Sequence, residues 1–179
     1  MSLEKLKQLE LMREERGQLV RELKERQQSE KKDVIAKFVS QFVDHLKENQ
    51  FSVAESGDSI LATFKGFTLT LDVPSPDQSF VGTYTQFKLY ESANRRTFLV
   101  EIVPVGLVDI PSSTKQSEID RIEEDVTNYQ ALLDLDPKPS GFELTYSTYD
   151  AANMADSCRS TKTVKSFDEV IDAIASLAL

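Results

Sequence analysis

The sequence predicts an α+β fold: an N-terminal helical, coiled-coil-like arm leading into an antiparallel meander sheet of about five strands packed by two or three helices. Three observations predict it. An opening stretch rich in helix formers changes its apolar spacing near residue 30. A block from Phe51 to Val105 alternates apolar and polar residues between short turn signals. The strands come as a run rather than interleaved with helices, which argues against a parallel sheet.

The arm comes first. From Leu3 to about Ser29, heptad-like positions fall at Leu9, Met12, Arg16, Leu19, Leu23 and Arg26. This is a 3.5-residue seam with two arginines set into it. Glu, Lys and Arg crowd its flanks, and Gly17 costs about 1 kcal/mol relative to Ala. So little apolar surface leaves an isolated helix marginal in water, so the arm requires a partner helix. From Asp33 to Asn49 the stripe broadens to Ile35, Phe38, Val39, Phe42, Val43 and Leu46, the face of a helix laid on a sheet. The change of spacing marks a change of neighbour. It divides the chain into an arm, 1–32, and a single α+β domain, 33–179. "QQSEKKD" between them is either continuous helix or a break capped by Ser29 or Asp33.

The strands follow. "FSVAE", "SILATF", "FTLTLDV", "SFVGTYTQFKLYE" and "RTFLVEIVPV" are rich in β-branched and aromatic residues. Breaks at Gly57, Lys65–Gly66, 74–78 and 92–95 are short enough to join antiparallel neighbours. In "FTLTLDV", Phe67, Leu69, Leu71 and Val73 share a face, which gives one covered and one wet side. A second helix, with Ser117 as N-cap, places Ile119, Ile122, Val126, Tyr129 and Leu133 on one side. "FELTYSTY" reads as a strand and "TKTVK" as a short last one. "SFDEVIDAIASLAL" opens with Ser166 and Glu169 at capping-box spacing, with Val170, Ile171, Ile174 and Leu177 on its buried side.

Composition narrows the function. The net charge is −9, and it is uneven: residues 1–50 hold 11 Lys/Arg and 10 Asp/Glu, the remainder 10 and 20. An acidic body repels phosphate backbones, so nucleic acid is disfavoured as a partner. No apolar run approaches the roughly 18 residues of a membrane span, and the opening residues lack the pattern of a secretory signal. The single cysteine, Cys158, permits neither an internal disulfide nor a zinc cluster, and a cytoplasmic location is expected.

Chemistry is sparse. The six glycines form no phosphate-binding loop, and no cofactor is expected. The lone histidine, His45, sits at the edge of its helix's apolar stripe. Asp120, Glu123 and Glu124 share a helix face at spacings that suit a hard divalent cation, but no calcium-type loop accompanies them and a solvated acidic face is the favoured explanation. Asp72 and Glu101 lie on strands, without the lysine two residues beyond Glu101 that metal-dependent nucleases usually place there. Lys88, Tyr90, Arg95, Arg96 and Phe98 are the nearest approach to a basic, aromatic patch.

These observations lead to a non-enzymatic protein-interaction or oligomerisation module, in which the arm pairs with itself or with another protein's helix through Leu9, Met12, Leu19 and Leu23. Two alternatives stand beside it. One is an acidic inhibitor, of the immunity-protein kind, that blocks a basic nucleic-acid enzyme. The other is a metal-dependent enzyme using carboxylates.

Overall fold

The computed structural model describes residues 3–78, 85–93, 95–106, 113–136, 140–150 and 162–178. The chain divides into two compact units, residues 1–30 with 106–140 and residues 31–105 with 141–179. Helix α1 runs unbroken over Leu3–Glu48, so "QQSEKKD" is continuous helix and neither Ser29 nor Asp33 starts a new one. The unit boundary, between Glu30 and Lys31, falls where the apolar spacing changes. Residues 106–140, expected within the 33–179 body, group with the arm instead.

The second unit is a sheet with helices on one face. Its strands are β1 (Ser52–Ser56), β2 (Ser59–Phe64), β3 (Phe67–Asp72), β4 (Thr85–Glu91), β5 (Arg96–Val105), β6 (Gly141–Asp150) and β7 (Lys162–Val164). They pair in chain order, every pair antiparallel. The sheet therefore has seven strands rather than about five. The last two, read as strands from their alternation, extend the meander because β6 returns directly beside β5, from Val105↔Gly141 to Arg96↔Asp150.

Register turns the alternation into rows. Ile60, Leu71, Leu89 and Phe98 lie opposite one another across four strands, and Thr85, Ile102, Leu144 and Val164 across another four. All eight are buried. The residues between them, such as Leu61, Thr70 and Tyr90, face the other way. The second half of α1 covers the buried side with Ile35, Phe38, Phe42, Val43 and Leu46. A third helix (Phe167–Ala178, named α3 because another precedes it in the chain) adds Phe167, Val170 and Ile171. Phe167 lies 5.7 Å from Phe42 and 6.2 Å from Phe87, centroid to centroid, in tilted and edge-on contacts. Each fully buried side chain of this size contributes about 1.5–3 kcal/mol.

Local chemistry fixes the connections. Phe64 pairs with Phe67 across a two-residue turn in which Lys65 (φ 46°) and Gly66 (φ 91°) are both left-handed, the geometry that matches strand twist. The N-terminus of α3 is capped as its spacing predicts: Ser166 Oγ accepts the Glu169 N–H at 3.4 Å, and the Glu169 carboxylate accepts the Lys165 N–H at 3.2 Å. Among the described residues of this unit, Lys31 and Glu91 are the buried charged ones. The Lys31 ammonium donates to the Gln78 carbonyl, and burial pulls its pKa down against the opposing pull of Asp77. Glu91 accepts the Ala93 N–H at 2.5 Å within the β4–β5 turn.

The first unit contains the opening half of α1 and helix α2 (Glu118–Leu135). Residues 106–140 form an excursion from the β5–β6 hairpin, whose strands meet again at Val105↔Gly141. Gly106 makes this closure possible. It sits at φ 77°, and a Cβ there would lie 2.6 Å from Ser140 Oγ.

Candidate interaction surface

The first half of α1 is helical through its Leu, Glu, Lys, Arg and Gln content, but little of it is buried. Among the seam residues, Leu9 (5% exposed) and Leu19 (7%) are buried, while Met12 and Leu23 are half-buried. In the same unit α2 buries Ile122, Leu132 and Leu133 and half-buries Ile119, Val126 and Tyr129. This apolar contribution is thin, and ion pairs supplement it. Arg13 Nη2 meets Glu118 Oε1 at 2.6 Å, Arg16 Nε meets Asp125 Oδ2 at 3.1 Å, and Arg26 Nη1 lies 3.6 Å from Asp136 Oδ1. The partners advance in the same direction along both helices, so α2 runs parallel to the start of α1.

These contacts explain the arginines in the seam. Cations are costly in an apolar seam unless acids meet them, and here the acids come from a helix of the same chain. Arg26 does more than pair. Its Nη1 donates to the Leu133 carbonyl at 2.8 Å, at the end of a helix that has no basic residue in its own last turn. It thus supplies the cation that the negative end of α2 favours. At the opposite end, the hydrogen bond and charge of Arg13 hold the Glu118 carboxyl below its usual range. Arg13 is raised in turn by Glu118 and, less, by Glu10. Ser117 takes the N-cap position with extended backbone, but its hydroxyl makes no capping bond.

The seam reading accounted for only one side of the arm. Leu3 is 72% exposed, Leu6 45% and Leu11 66%, and Leu135 at the end of α2 is 72% exposed. At 100° per residue, Leu11 lies about 160° around the helix from Leu9. Leu6 lies about 60° and Leu3 about 120° around the helix from Leu9, so the three exposed leucines lie outside the buried seam but are spread around α1 rather than gathered on one face. Their 3- and 8-residue separations were visible in the sequence, hidden by the stronger heptad pattern beside them.

The remaining candidates are dispersed. Lys115, Asp120, Glu123, Glu124, Thr127 and Asn128 line a shallow groove of about 380 Å³ on the first unit, where Ser113 Oγ donates to Glu124 Oε2 at 2.5 Å. Among the described residues, no group of three His, Cys, Asp or Glu side chains is placed to hold a metal ion. His45 Nδ1 lies 2.9 Å from Asp168 Oδ1 and its Nε2 3.3 Å from Asn49 Nδ2. Both ring nitrogens are therefore engaged, as a positioned histidine's would be. Asp72 accepts the Ser59 hydroxyl at 3.0 Å. Glu101 accepts Gln86 Nε2 at 2.8 Å and the Thr145 hydroxyl at 3.4 Å, so the strand acids serve cross-strand pairs. The basic, aromatic set does not assemble. Phe98 is buried on the covered side, while Lys88 and Tyr90 face the other side and Arg95 sits exposed in the turn. Cys158 lies outside the described residues. No helix among the described residues is long and apolar enough to cross a membrane.

Comparisons with protein families, with curated proteins and with solved structures found no match for the chain.

Proposed function

We propose that the protein is a non-enzymatic interaction module, and that its helical unit binds the helix of a protein partner, either a second copy of this chain or another protein. One observation carries this reading: Leu3, Leu6 and Leu11 remain exposed on α1, outside its own buried seam. Leu9, Met12, Leu19 and Leu23, expected to face a partner, instead lie in the unit that holds α2, two of them buried and two half-buried. Their role in partner binding is to set the orientation of α1, so that the second leucine set is presented. Apolar side chains at helical spacing on an otherwise charged helix suit a helix-on-helix contact.

Analytical ultracentrifugation and pull-down of the full chain, beside a Leu3→Glu/Leu6→Glu/Leu11→Glu variant, test the proposal. The expected result is association by the parent chain and none by the variant, with unchanged helix content. Identical behaviour of the two proteins refutes it.

The outward carboxylates of α2 support a second reading, an acidic inhibitor of a basic nucleic-acid enzyme. Asp120, Glu123 and Glu124 share a single groove, and opposed charge accelerates and orients docking. Its test is salt-sensitive binding to a cationic nuclease that Asp120→Asn/Glu123→Gln weakens.

A further inference from the structure

A groove in the second unit combines an apolar floor with two cations in a chain that is otherwise strongly acidic. Val34 from α1, Ile102 from β5, and Phe142 and Leu144 from β6 form the floor; Lys37 and Lys165 stand at the rim. Its volume of about 330 Å³ falls within the range of small-molecule sites, which are mostly apolar with a few placed polar groups. Phe142 is 36% exposed, so its ring still presents surface to the groove.

The two lysines give the groove its chemistry. The whole chain holds 30 acids against 21 Lys and Arg, yet neither rim ammonium forms an ion pair among the described residues. They come from separate elements, α1 and the segment before α3. The backbone of Lys165 is held in place by the Glu169 carboxylate at 3.2 Å, while its side chain is exposed. Two uncommitted cations beside an apolar floor complement a ligand with a negative head and a hydrocarbon tail. An ammonium acts as a compact point charge on a flexible stem, which can follow a carboxylate head without fixed bidentate geometry.

We infer that this groove binds a single-chain amphipathic carboxylate of medium length, with the tail on Val34, Ile102, Phe142 and Leu144 and the head between Lys37 and Lys165. The inference is independent of the helical-unit reading, since none of these residues belongs to that unit.

The probe is monomeric decanoate titrated into the full chain, followed by calorimetry and by ¹H–¹⁵N NMR. The expected result is saturable one-to-one binding, with shifts concentrated on the groove residues. Octanoate, two methylenes shorter, is expected to bind about tenfold more weakly. Decyltrimethylammonium, with the same tail and the opposite charge, is expected not to bind. Lys37→Gln/Lys165→Gln alters two exposed positions, so it is expected to leave thermal unfolding unchanged while weakening decanoate at least about fivefold, an effect that salt screening mimics. Absence of saturation, shifts confined to other surfaces, or equal affinity in the double variant overturns the inference.

Discussion

The pairing of Arg16 with Asp125 decides whether the arm is satisfied within its own chain, and a double-mutant cycle measures it. Nε and Oδ2 are 3.1 Å apart, with the Arg16 side chain 44% exposed and that of Asp125 15% exposed. Fully exposed pairs contribute about 0.2–1 kcal/mol. The enclosed carboxylate moves this pair to the top of that range, and the exposed guanidinium keeps it from going much higher. A coupling energy of about 1 kcal/mol is therefore expected between Arg16→Ala and Asp125→Ala. Arg16→Ala alone is expected to cost more, about 1–2 kcal/mol, because it leaves a mostly enclosed carboxylate without its cation. Urea unfolding provides the energies, and hydrogen exchange over residues 9–26 localises the loss to the helical unit. At 1 M salt the Debye length is about 3 Å and the coupling should shrink. Zero coupling at low salt, or coupling that grows with protein concentration, refutes the argument, because the arginine then meets its acid in another chain or not at all.

Four further outcomes are expected. Gly106→Ala should destabilise the chain by about 1–2 kcal/mol from its left-handed backbone, with a further loss from the 2.6 Å approach to Ser140 Oγ; denaturant melts should show part of that further loss restored in Gly106→Ala/Ser140→Gly. Phe42→Ala, in the fully buried aromatic cluster, should cost about 3–5 kcal/mol in the same assay. Thr85→Val should stabilise by about 1 kcal/mol, since the buried Thr85 hydroxyl has no hydrogen-bond partner among the described residues and Val keeps the shape without it. The depressed Glu118 carboxyl contributes stability that is fully present above the unfolded-state glutamate pKa of about 4.3. That contribution disappears as pH falls through the lower folded value. An acid titration followed by circular dichroism should show a smaller low-pH loss in Glu118→Gln.

Much of the fold was legible because each element carries its own period. The broad stripe from Ile35 to Leu46, the alternation of β2 to β5, and the Ser166–Glu169 box are local patterns, and local patterns can be read along the chain. The change of apolar spacing near residue 30 was legible for the same reason. The identity of the arm's neighbour was not. Arg16 announced that an acid was needed, but Asp125 is remote in sequence, and α2 shows an acidic face that reads equally well as solvated surface. The strand count was underestimated because a long excursion between β5 and β6 gives no sign that the second strand returns beside the first. The site residues fared similarly. Leu9, Met12, Leu19 and Leu23 were read as partner-facing, and Leu9 and Leu19 are buried, whereas the exposed Leu3, Leu6 and Leu11 stood outside the heptad spacing that drew attention to their neighbours.

Because Val105 and Gly141 already face each other, the sheet has a ready-made place for a tight turn, and the intervening helix is a detour the meander does not topologically require. Replacing 106–140 with Asn-Gly should leave the β-framework folded and strip α1 of its cis companion. A chain shortened in this way is expected to become adhesive along Leu9 and Leu19 as well, adding a second associating surface to the one that Leu3, Leu6 and Leu11 already present.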